Sequence, residues 1–148
     1  MTDKAPNSTP KKTLYSVFKT DQELEKKGVV INYGIAKFTV KRAGGANREF
    51  NNRLSEKSRA REKEIRTRTI DEDESRRILI EVYAESVVLG WEGVTDENGN
   101  LMEFNKKNFM KLMNDLPDFW DKFRDDCAAL STFQRESNEE DGNTLGES

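Results

Sequence analysis

The chain has 148 residues, 34% hydrophobic and 36% charged, with a mean hydropathy of -0.90 and a formal net charge of -3. That is enough for one domain with a modest core, and no stretch approaches the roughly 18 consecutive apolar residues of a membrane span. With no histidine and a single cysteine, Cys127, the chain lacks the side chain that titrates near neutrality and cannot form an intrachain disulfide or a cysteine-based zinc site.

Residues 1–13 hold Pro6, Pro10, Ser, Thr, Asn and Lys with little apolar material, so they read as a flexible arm that cannot repay the entropy of ordering. They also lack a signal-peptide core, which points to the cytoplasm. From Leu14 the pattern turns to β. Ala36, Phe38 and Val40 alternate with Lys37, Thr39 and Lys41, the period of a half-buried strand. Together with Val29, Val30 and Ile31 they predict an antiparallel hairpin turning at residues 32–34, with Tyr15 to Phe18 as a candidate third strand.

Gly44 and Gly45 end the sheet, and residues 47–69 lack Gly and Pro, which predicts a helix with a thin apolar stripe of Phe50, Leu54 and Ile65. Residues 41–70 carry ten Lys/Arg against four Asp/Glu, and residues 92–148 carry six against fourteen, so the molecule is a charge dipole. The basic stretch, residues 42–68, is a candidate nucleic-acid contact, but interleaved Glu49, Glu56, Glu62 and Glu64 favour a solvated helix or an acidic partner. Asp71 to Glu74 suit the start of a second helix, where carboxylates meet unpaired N–H groups. That helix is expected from Arg76 to Leu89 and is apolar over most of its circumference, with Glu81 and Glu85 one turn apart. Gly90 is the expected stop.

Asn98-Gly99 marks a tight hairpin turn within residues 91–104. Asp96, Asn98 and Asn100 are spaced like the opening of a calcium loop, but the glycine, Gly99, falls between the second and third ligand positions instead of after the third, and Lys107 stands where the bidentate glutamate belongs, so the turn is preferred to a metal site. Gly44-Gly45 likewise lacks the Gly-Lys-Ser/Thr of a phosphate loop and reads as a joint. Asn105 is placed to cap a third helix carrying Phe109, Leu112, Met113 and Leu116, and Pro117 to open a fourth carrying Trp120, Phe123, Cys127 and Leu130. Cys127 reads as a small core residue. Residues 136–148 are acidic and apolar-poor, and read as a disordered tail.

The expected fold is α+β, mainly α: a small N-terminal antiparallel hairpin or sheet packed with three to four helices, residues 14–135 forming one domain. No pairing of nucleophile and base suggests an enzyme, and no cofactor or metal is expected. Met102, Phe104, Phe109, Met110, Met113, Phe119, Trp120 and Phe123 form a soft aromatic cluster, read first as core. The sharper reading is a groove that takes apolar segments of another chain.

The succession of Leu14-Tyr15-Ser16-Val17-Phe18, the Ala43-Gly44-Gly45-Ala46-Asn47 joint, Glu81-Val82-Tyr83-Ala84-Glu85, "LGWEGV" at residues 89–94, "DENGN" at 96–100 and "DLPD" at 115–118 resembles the tail assembly chaperones of long-tailed bacteriophages. The resemblance spans residues 14–135. It implies a non-enzymatic late protein of the host cytoplasm that coats and solubilises the tape measure protein, helps recruit tail tube subunits, and is absent from the mature virion. In many members a frameshifted longer form binds the tail tube protein, and this chain would be the shorter product. A homo-oligomer stays open, as do two rival roles: a structural tail or neck component retained in the virion, and a nucleic-acid-binding regulator using residues 42–68.

Overall fold

The computed structural model describes residues 12–134. The N-terminal arm before residue 12 and the acidic tail lie outside the described residues. The chain is mixed α+β, with helices packed on one face of a three-stranded antiparallel sheet of order β1-β2-β3. Strands β1 (Val29–Asn32) and β2 (Lys37–Val40) form the expected hairpin in the register Val29↔Val40 to Asn32↔Lys37. Asn32 helps turn it, its side-chain oxygen accepting a hydrogen bond from the Gly34 amide at 2.8 Å.

The third strand is not Tyr15 to Phe18. Those residues belong to helix α1 (Leu14–Phe18), because Thr13 and Ser16 close a reciprocal capping box that satisfies two orphan amides and outweighs the strand preference of the aromatic run. Helix α2 (Gln22–Lys27) follows, capped by Asp21. The third strand is β3 (Val88–Glu92), which pairs with β2 through Phe38↔Trp91 and Lys37↔Glu92. The apolar helix expected to reach Leu89 ends earlier: α5 runs Glu72–Ser86. An apolar run does not by itself separate a buried helix end from a strand, and here Val87 forms the helix cap while the β-branched Val88 opens the strand. Leu89 sits at a register irregularity opposite Thr39 and Val40. It is thereby left 48% exposed on the outer face beside Val30, while Val29, Ile31, Phe38, Val40 and Val88 face inward.

The long basic helix is also interrupted. Helix α3 (Arg48–Ala60) is capped by Asn47, and α4 (Glu62–Arg66) restarts after Arg61, whose φ of -113° departs from helical geometry. Helix α5 begins at the Asp71 cap, as the acidic cluster predicts. It packs against α3 on one side and α6 (Lys106–Asp115) on the other, as its nearly all-round apolar surface requires. Helix α7 (Pro117–Ala128) starts on Pro117, and a 3-10 turn (Leu130–Phe133) buries Phe133 completely.

Glu81 and Glu85, the polar positions on α5, hold this arrangement together. Lys57 of α3 lies 3.1 Å from Glu81, and Lys106 of α6 lies 2.9 Å from Glu81 and 2.6 Å from Glu85. Arg53 reaches Glu85 at 3.3 Å. The hydrogen bonds from Lys106 and then Lys57 hold the Glu81 carboxyl below its ordinary value of 4.5, against the opposing effect of burial. A carboxyl depressed on folding adds stability above its unfolded value and loses it as pH falls through the folded one. Glu81→Gln should therefore lower the thermal midpoint at pH 7, and the two proteins should converge as the pH is taken below about 4. Melting curves across that range check it; a gap that persists at low pH would show that the loss is not electrostatic.

Candidate functional site

Beyond β3 the chain turns at Gly93, in the left-handed region with a φ of 79°. A Cβ there would stand 2.8 Å from the Ile35 carbonyl oxygen, so the close approach of this corner to the β1–β2 turn requires glycine. Residues 95–101 then form a tight hairpin. The Asp96 carboxylate accepts from the backbone amides of Asn98 at 2.9 Å and Asn100 at 3.0 Å, Gly99 sits at a φ of 84°, and Thr95 bridges Leu101. The Asp96 carboxylate that suggested a calcium loop is thus engaged by the turn itself, and among the described residues no group of three metal-ligating side chains assembles.

The hairpin is fixed to the core by Trp91, whose indole N–H donates to the Met102 carbonyl at 2.9 Å, and by the edge-to-face stacking of Trp91 on Phe104 at 5.2 Å. Asn105 caps α6, accepting from the Asn108 amide at 2.8 Å. Between the hairpin and α6 lies an open groove of about 500 Å³. Met102, Leu112 and Leu116 line it, and Asp96, Glu97, Lys111 and Asp115 form a charged rim. Leu116 is 48% exposed, and Leu101, next to Met102 in the chain, is 78% exposed.

The sequence-predicted cluster divides in two. Phe109, Met113, Trp120 and Phe123 are wholly buried and offer no surface to a second molecule. Met102, Phe104, Met110 and Phe119 are half-buried against that core, and of the eight only Met102 lines the groove. The residues that sequence reasoning missed are Leu101, Leu112 and Leu116. The latter two share the helical spacing of the core positions, so periodicity alone sorts them with the interior. A second apolar exposure, also unforeseen, is α1, where Leu14, Tyr15 and Phe18 are 77%, 81% and 60% exposed.

Elsewhere several polar groups are tied down. The Tyr33 hydroxyl donates to Asp126 at 2.7 Å, and burial, reinforced by that carboxylate, raises the phenol far above its ordinary range. The basic stretch is largely paired internally. Arg42 meets Glu25, Arg53 meets Glu49, and Arg61 meets both Glu64 and Glu74. Pairing reduces the field such a stretch could project at phosphates.

Cys127 is completely buried, and burial pushes its thiol well above the ordinary value, with Asp126 adding to the effect. A thiol held protonated and out of solvent is a poor nucleophile. Native protein should leave Cys127 unmodified by a charged disulfide reagent over hours, while denatured protein reacts within minutes. Rapid native labelling, read as thiolate release, would contradict this placement.

No curated protein and no solved structure gives a significant match to the chain. Residues 45–143 match the YdaY prophage protein family, a span that runs from the glycine joint through α3 to α7 and includes β3 and both walls of the groove. That span is more than half of the chain, and the protein therefore belongs to the YdaY prophage protein family and is phage-derived.

Proposed function

We propose that this phage-derived protein is a non-enzymatic tail assembly chaperone, and that the groove between the 95–101 hairpin and α6 takes apolar helical segments of the tape measure protein. The observation that carries the reading is the open groove lined by Met102, Leu112 and the half-exposed Leu116, with the exposed Leu101 next to Met102 in the chain. Met102 supplies a flexible, polarizable surface that adapts to varied side chains. The charged rim keeps a complex soluble, and many weak grooves along one long client bind by avidity. The segment succession resembling tail assembly chaperones and the phage origin support the same role. The internal pairing of Arg42, Arg53 and Arg61 weighs against the nucleic-acid alternative.

Co-expression with a tape measure fragment tests it. Wild-type protein should raise the soluble fraction of the fragment several-fold, and the double variant Leu101→Asp, Leu116→Asp should lose most of that gain while keeping its helical circular dichroism and thermal midpoint. If the fragment is no more soluble with the wild-type protein than alone, the proposal fails. Finding the protein in purified virions by mass spectrometry would favour a structural tail component instead.

A further inference from the structure

A second cleft, of about 820 Å³, lies between α2 and the start of α3. Its lining includes Lys19, Lys26, Lys27, Lys41 and Arg48, and none of these five has a carboxylate partner among the described residues. Three acids also line it, but two are already engaged. Glu25 accepts from Arg42 and from the Thr20 hydroxyl, and Glu49 pairs with Arg53. Glu23 alone remains to offset five cations, and like charges gathered in one cleft repel each other.

The chain supplies an opposite charge at the edge of this cleft. Phe133 accepts a backbone hydrogen bond from Asp21 at 2.8 Å. The Gln134 side chain donates to the carbonyls of Val17 at 2.7 Å and Lys19 at 3.2 Å. The described residues therefore end beside the cleft-lining segment that carries Phe18, Lys19 and Thr20. Glu136, Glu139, Glu140 and Asp141 follow within seven positions, against Arg135 alone. Seven residues span up to roughly 25 Å when extended, ample for a cleft of this volume. We propose that the basic cleft between α2 and α3 is the docking site of the chain's own acidic segment, residues 136–141. The short tether gives that segment an effective concentration on the order of millimolar, which an untethered acidic partner must exceed to displace it. The inference is independent of the chaperone reading and stands or falls separately.

Carbodiimide coupling of the full chain, followed by peptide mass mapping, tests it. The expected products are amide links from Glu139, Glu140 or Asp141 to Lys26, Lys27 or Lys41. In a mixture of labelled and unlabelled protein these links should form within single copies, and their yield should fall about tenfold between low salt and 0.5 M NaCl as screening grows. The variant Glu139→Gln, Glu140→Gln, Asp141→Asn should shift the backbone amide resonances of Lys26, Lys27, Lys41 and Arg48 while leaving the thermal midpoint unchanged. Links confined to pairs of copies would assign the cleft to a neighbouring molecule's acidic segment and overturn the proposal. Links directed instead to Lys106, Lys111 or Lys122, or amide shifts absent from the cleft, would overturn it as well.

Discussion

Phe123→Ala is expected to remove about 3–5 kcal/mol of stability, a large share of the roughly 5–15 kcal/mol that holds a domain of this size folded. Phe123 has no exposed surface. Its ring lies 5.0 Å from Phe38, 5.9 Å from Phe109, 5.9 Å from Phe119, 6.3 Å from Tyr83 and 6.4 Å from Tyr33. It thereby joins the β1–β2 hairpin, α5, α6 and α7 at one point. Truncation removes the transfer energy of the ring, opens a cavity that four separate elements would have to close, and forfeits several ring pairs worth about 0.5–1.5 kcal/mol each. Urea titration followed by tryptophan fluorescence should show the midpoint falling sharply. Phe119→Ala, at a half-buried ring one helical turn away, should cost less than half as much. Equal and small losses at the two positions would refute the central role given to Phe123.

The second large effect is expected at Asn47. Its amide N–H₂ donates to the carbonyls of Arg42 and Ser86, each at 2.9 Å, and its oxygen accepts from the Phe50 amide at 3.2 Å. One side chain thus caps α3, fixes the loop after β2, and closes the last turn of α5. Asn47→Ala should cost about 2–4 kcal/mol, combining the loss of a helix cap with carbonyls left unsatisfied in a half-buried site. Asn47→Asp separates the two contributions. It keeps the cap but turns both donors into acceptors facing carbonyl oxygens, so it should be at least as damaging as alanine at neutral pH. Were Asp tolerated like the wild type, capping alone would account for the residue. Denaturant titrations of the three proteins decide it.

Local chemistry made much of this fold legible in advance. Asn32, Asp71, Asn98-Gly99, Asn105 and Pro117 all mark boundaries that the structure uses, because each acts on backbone groups within four residues of itself. What escaped depended on distant partners. Val88 to Glu92 becomes a strand only because β2, some fifty positions earlier, offers an edge to pair with. Tyr15 to Phe18 has the composition of a strand, yet the Thr13–Ser16 box decides for helix. The interruption at Arg61 has no glycine or proline to announce it. At the candidate site the difficulty was of another kind. Leu112 and Leu116 occupy the same periodic stripe as Phe109 and Met113, and only the placement of the 95–101 hairpin determines which part of that stripe is covered.

The sheet carries a consequence for the order in which the chain can fold during synthesis. The β1–β2 hairpin needs only residues 29–40 and can close within microseconds of leaving the ribosome. Its inner face, however, rests on Phe119 and Phe123, and its open edge is completed by β3. At roughly 5–20 residues per second, several seconds separate translation of Phe38 from that of Phe123. Until β3 is made the nascent hairpin carries an unpaired strand edge, and until Phe123 is made its apolar face stays uncovered. Slowing elongation between residues 40 and 120 should therefore raise aggregation of the nascent chain without altering the stability of the finished protein.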